Sequence, residues 1–109
     1  MGSSACYHQA EVKALRKDPE LAKAYLQEAM RWMHRPDGRA ASLIALRALA
    51  QAYGGMTRLA KEAGVERQSL YRALSPEGNP TLNTLIAVMQ AVGMRLSAEP
   101  INELTEDKN

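Results

Sequence analysis

The sequence predicts an all-α domain of five helices, organised around a helix-turn-helix and closed by one short C-terminal β-strand. Three observations predict it. Ala and Leu are abundant, Phe is absent and β-branched residues are sparse, a composition that favours helix before any pattern is read. Apolar residues recur at helical spacing between clear start and stop signals. Two short helical stretches of about eight residues each meet at Gly64, the residue type that turns a chain most cheaply.

The elements follow in order. Residues 1–17 carry only a weak pattern, with Val12, Leu15 and Arg16 hinting at a helical turn, and are expected to be a flexible N-terminal segment. Asp18 can cap a helix, Pro19 suits its first position and Glu20 its first turn. Leu21, Ala22, Tyr25, Leu26, Ala29, Met30 and Met33 then form one apolar stripe, so a helix is expected over 19–34, ended by Arg35-Pro36-Asp37-Gly38. A second helix, about 40–53, carries Leu43, Ile44, Leu46, Arg47, Leu49 and Ala50 and is expected to be central to the core. Gly54-Gly55 ends it. Helices over about 56–63 and 67–74 come next, then the turn-rich loop Ser75-Pro76-Glu77-Gly78-Asn79-Pro80. Thr81 can cap a fifth helix, 81–92, whose stripe is Leu82, Leu85, Ile86, Val88, Met89 and Val92 and which Gly93 closes. Residues 94–99 alternate with period two and read as one strand. A lone strand leaves its backbone groups unsatisfied. Either a second copy of the protein pairs with it, or it is an extended tail docked by Met94 and Leu96. The acidic residues 100–109 are expected to be a flexible tail.

Charge is uneven along the chain. Residues 39–75 hold six Lys/Arg against two Glu, while residues 96–109 hold four acids against one Lys, within a formal net charge of +2. A central basic stretch is what a phosphate-contacting face needs, and also what a locally basic solvated surface looks like. Cys6 stands alone, so an intrachain disulfide is excluded and a cytoplasmic setting fits. Apolar runs fall well short of the roughly 20 residues that span a bilayer, so no membrane association is expected. The Met1-Gly2-Ser3-Ser4 start lacks the form of a signal peptide.

The central pair of helices meets four geometric demands together. Leu59 and Ala60 give the first helix an apolar and a small inner residue. Gly64 tolerates positive φ, Val65 plugs the angle, and Leu70 and Ala73 dock the second helix, with Leu74 adjacent. That leaves Arg67, Gln68, Ser69 and Arg72 as candidate base readers, because Arg suits guanine, Gln suits adenine and Ser suits either, and the second helix of such a motif lies in the major groove. Thr57, Arg58 and Lys61 on the first helix, Tyr71 on the second, and Asn79 and Thr81 after it are candidates to hold the DNA backbone. The competing reading is a helical interaction module that binds a partner without binding DNA.

Catalysis is not expected. His8 and His34 are the only histidines and neither has a carboxylate or thiol at metal-ligand spacing, Glu20, Glu28 and Asp37 lie on solvated faces, and no phosphate-cradling loop follows a strand. No cofactor and no metal is expected.

The run Gly55-Met-Thr-Arg-Leu-Ala-Lys-Glu-Ala-Gly64, followed by Gln68-Ser-Leu-Tyr-Arg-Ala-Leu-Ser-Pro-Glu-Gly-Asn-Pro80, resembles the "probable addiction module antidote" family, antitoxins of bacterial type II toxin–antitoxin pairs. Ser69 to Pro80 is its most specific part. Asp18-Pro19-Glu20, Tyr25-Leu26, Leu85, Gly93 and Leu96 also match, so the resemblance covers about residues 18–100. Glu66 departs from the pattern, standing where the family usually has a small hydroxyl residue. The resemblance implies a lambda-repressor-like bundle that acts as a homodimer, binds operator DNA to repress its own operon, and binds a RelE/ParE-like toxin. Over residues 18–99 it implies a DNA-binding domain with an N-terminal accessory helix. Two toxin-binding segments are open, the helix 19–34 with its flank and the acidic tail. Simple core packing is the expected role of that helix's apolar face.

Overall fold

The computed structural model describes residues 3–101, with side chains from His8 onward. The Met1-Gly2 start, the Cys6 thiol and the acidic residues beyond Ile101 lie outside the described residues. Within them the chain is all-helical: α1 (Ser3–Lys17), α2 (Pro19–Met33), α3 (Arg39–Ala52), α4 (Met56–Ala63), α5 (Arg67–Ala73) and α6 (Leu82–Val92).

The local start and stop signals act as expected. Asp18 is the N-cap of α2, its carboxylate accepting from the Leu21 backbone N–H at 3.1 Å, with Pro19 in the first turn. Thr81 caps α6 by accepting from the Thr84 N–H at 3.1 Å, and Gly93 ends that helix in the left-handed conformation. Ala22, Leu26 and Ala29 bury the inner face of α2 against α3. Core packing is thus the structural role of that face. α3 is the central rod, with Leu43, Leu46, Ala48, Leu49 and Ala50 all inaccessible to solvent. α4 packs on α5 and α6, and Leu59, Leu70, Leu74 and Val88 join the same core.

Three expectations need correction. The helix count is six, not five, because the described part of the segment expected to be flexible, 1–17, carries α1. Its Val12 and Leu15 are buried, and its end is tied to α3 by polar contacts from far along the chain. The Tyr53 hydroxyl donates to the Leu15 carbonyl, and the Arg16 guanidinium donates to the carbonyls of Gln51 and Ala52, satisfying free groups at the end of α3. His8 also donates to the Gln51 side-chain oxygen. Residues 94–99, expected as a strand, form no ladder in the single chain: past Met94 they run on to Ile101 without a helical turn or bend. Leu21, Ile44 and Leu82, placed on apolar stripes by their spacing, are 42%, 42% and 61% exposed, because each lies at the edge of its stripe rather than its centre.

Gly64 breaks the chain between α4 and α5 at φ +74°, its N–H bonded back to the end of α4. No atom crowds its missing Cβ, so the whole penalty of Gly64→Ala is conformational. A loss of about 1–2 kcal/mol is expected by denaturant unfolding, with the fold retained.

Candidate nucleic-acid interface

α4 and α5 are two short helices joined by the turn at Gly64, and the core divides their faces. Met56, Leu59, Ala60 and Ala63 of α4 are buried, as is Leu70 of α5. Val65 in the turn and Ala73 are half-buried, and Leu74, which ends α5, is fully buried. Leu59, Ala60 and Leu70 are thus buried at the junction of the two helices, and Leu74 is buried more deeply than Ala73.

What remains outward is polar. Arg67, Gln68 and Arg72 are exposed and Ser69 and Tyr71 half-buried on α5. Thr57, Arg58 and Lys61 are exposed on α4, and Asn79 and Thr81 beyond it. α5 carries no acidic residue, and among the described residues Arg67, Arg72 and Lys61 have no ion-pair partner. Arg58 does, pairing with Glu62 at 3.1 Å one turn on. Glu66 occupies the N-cap of α5 with extended backbone but its side chain makes no capping bond, so the departure from a hydroxyl residue leaves the first N–H groups of the helix without a side-chain partner.

The α5 side chains are braced rather than loose. Arg67 donates to the Tyr71 hydroxyl at 3.4 Å and its guanidinium lies 5.4 Å from the Tyr71 ring centroid. Arg72 donates to the Ser69 hydroxyl at 3.2 Å. Thr81 is committed to its cap, since its hydroxyl also donates to the Thr84 hydroxyl at 3.0 Å.

Arg47 is the residue that sequence reasoning misplaced. Counted within the apolar run of α3, it instead reaches under α5, its guanidinium 5.1 Å from the same Tyr71 ring. Its Nε is buried without a hydrogen-bond partner. The ring therefore attracts two guanidinium groups, one from the supporting helix and one from the outward face. An arginine inside an otherwise apolar helix face was the available signal.

Gly78 was also missed, read only as a turn residue. A Cβ at Gly78 would lie 2.1 Å from the Ala73 carbonyl oxygen and 2.4 Å from that of Arg72. The loop after α5 thus folds tightly under the end of that helix, and Asn79 and Thr81 are positioned by this contact. Among the described residues no group of three or more His, Cys, Asp or Glu could hold a metal ion, and no helix is long and apolar enough to cross a membrane.

The chain is similar to known proteins over part or most of its length. An uncharacterized protein of Haemophilus influenzae (strain ATCC 51907 / DSM 11121 / KW20 / Rd) is 41% identical over 44 residues, which cover 40% of this chain and 45% of that protein. The match thus spans less than half of the relative's length. No solved structure matches the chain significantly. The family model described as "Probable addiction module antidote protein" matches residues 9–100, most of the chain and all of α2 to α6. The chain belongs to the probable addiction module antidote family.

Proposed function

We propose that the protein is a cytoplasmic, non-enzymatic antitoxin that binds its own operator DNA and represses its operon, with α5 as the reading helix in the major groove. An antidote implies a toxin to bind. We assign that toxin to the RelE/ParE-like class, and the α2–α6 bundle to the lambda-repressor-like architecture. The observation that carries the DNA reading is the division of α5: Leu70 and Leu74 turn into the core while Arg67, Gln68 and Arg72 stand in solvent, with Glu66 at the N-cap and no acidic residue within the helix itself.

The chemistry of each side chain follows. Arg67 can reach guanine O6 and N7 with two donors, and Gln68 can pair with adenine N6 and N7. The Tyr71 ring and hydroxyl hold Arg67 in an ordered pose, which lowers the entropy lost on docking. Ser69 and Arg72, bonded to each other, form a second donor group one turn on. Lys61, Thr57 and Asn79 are free to meet phosphate. Arg58 must first leave Glu62, and Thr81 must first withdraw its hydroxyl proton from the Thr84 oxygen before it can donate to a phosphate, which only accepts.

Gel-shift titration on the DNA upstream of the gene tests this. Arg67→Ala and Gln68→Ala are each expected to weaken specific binding by about 1–3 kcal/mol without changing non-specific binding. Lys61→Ala is expected to weaken all sequences alike and to lower the salt slope by about one. Arg58→Ala is expected to do less than Lys61→Ala, since its charge is already neutralised by Glu62. Absence of any shift at low salt would leave the protein as a partner-binding module only.

A further inference from the structure

We infer that Arg47 is a positioning residue for operator recognition: from α3 it fixes the Tyr71 ring, and through that ring the guanidinium of Arg67. The inference rests on the reading of α5 as the helix that meets DNA.

Arg47 sits where an apolar residue would be expected. Its neighbours along α3, Leu46 and Ala48, are buried, and the buried Leu43 and Ala50 share its side of the helix. The stem of Arg47 can cover that apolar surface, but the half-buried charge at its end meets no charge of opposite sign. α3 and α5 contain no Asp or Glu, and among the described residues the Arg47 guanidinium has no ion pair and no hydrogen bond. Its Nε is buried. What the guanidinium meets instead is the Tyr71 ring, 5.1 Å from the centroid.

Stability does not explain this arrangement. A half-buried cation without a counter-charge costs desolvation, and an unbranched apolar side chain would fill the same space without that cost. The ring also holds a second cation, since the Arg67 guanidinium lies 5.4 Å from the same centroid, so two like charges share one attractor.

Geometry does explain it. Tyr71 lies one turn beyond Arg67 on α5, and its hydroxyl accepts from the Arg67 guanidinium at 3.4 Å. The direction of the ring therefore sets the direction of Arg67. α5 is only seven residues long and, among the described residues, packs chiefly on α4. Arg47 ties the ring to α3, the central rod of the core, so Arg67 is aimed from the scaffold and not from its own short helix alone. Two-donor recognition of a guanine edge needs that aim, because both N–H groups must meet O6 and N7 together.

Operator titration combined with thermal unfolding tests the assignment. Arg47→Met keeps an unbranched apolar stem and removes the charge. Its operator affinity is expected to fall about fivefold, with non-specific affinity and salt slope at their wild-type values, since Arg47 meets a ring and not a phosphate. Its unfolding midpoint is expected to stay within about 2 °C of wild type or to rise. In a Tyr71→Leu background the same substitution is expected to change operator affinity by less than about 1.5-fold, because the ring it acts through is gone. Arg47→Lys, which keeps a cation beside the ring, is expected to bind operator within about twofold of wild type. In nitrogen–proton spectra of the free protein, the Arg67 Nε–H resonance should move toward its random-coil position in Arg47→Met and stay in Arg47→Lys. A wild type that binds no upstream duplex would overturn the DNA reading, and this assignment with it. With wild-type binding intact, the assignment alone would be overturned by Arg47→Met binding operator like wild type, by an unmoved Arg67 resonance, by equal losses in the two Tyr71 backgrounds, or by Arg47→Lys as weak as Arg47→Met. A lowered midpoint would make Arg47 a packing residue, and a salt slope lower by about one would make it a phosphate ligand; either result also sinks the assignment.

Discussion

Gly78→Ala is expected to destabilise the protein by about 3 kcal/mol or more, the largest loss for a glycine-to-alanine change among the described residues. The reason is spatial, not torsional. The new Cβ would meet two backbone carbonyl oxygens, Ala73 at 2.1 Å and Arg72 at 2.4 Å, and neither can swing aside as a side chain would. The loop after α5 would have to lift from the helix end, and the Gly78 N–H bond to the Ser75 carbonyl would go with it. Operator binding should fall together with stability, because Asn79 and the capped start of α6 hang on that loop. Chemical denaturation measures the first effect. A change within about 0.5 kcal/mol, the usual range for an inconsequential surface substitution, would show that the close approach is not real.

Leu70→Ala is the second large effect. Leu70 is 1% exposed and is the one fully buried side chain within α5, so its removal empties the contact that docks the helix on α4 and the core. A loss of about 2–5 kcal/mol is expected from the missing transfer free energy and the cavity left behind. For a domain of this size that lowers the midpoint by roughly 10–20 °C. Gln68→Ala, two residues away on the exposed side of the same helix, is the control: it should move stability by less than about 0.5 kcal/mol while weakening specific DNA binding. The pair separates the docking face from the reading face. Equal thermal losses for both variants would contradict the division of α5 on which the proposed function rests.

What the sequence could show was decided by range. The caps at Asp18 and Thr81 and the left-handed turns at Gly64 and Gly93 depend on neighbours within four residues, so spacing alone revealed them. The outward placement of Arg67, Gln68 and Arg72 followed from helical periodicity once Leu70 was taken as inward. The helix α1 was not legible, because its own pattern supplies only Val12 and Leu15. The contacts that hold it come from Tyr53, Gln51 and Ala52, more than 30 positions away. Arg47 was hidden for a similar reason: its long apolar stem fits a buried stripe, and only the tertiary fold brings its guanidinium to Tyr71. Period two at residues 94–99 was real as a pattern, but a strand needs a partner, and one chain does not provide it.

The most direct measurement is nitrogen–proton correlation NMR of the protein titrated with the duplex from upstream of its gene. If α5 enters the major groove, the largest shifts should fall on the amides of Arg67 to Arg72, with smaller ones at Lys61 and near Asn79, and α1 should be almost silent. Shifts confined to α1 and α2, or no change at a salt concentration where basic domains bind DNA, would contradict it.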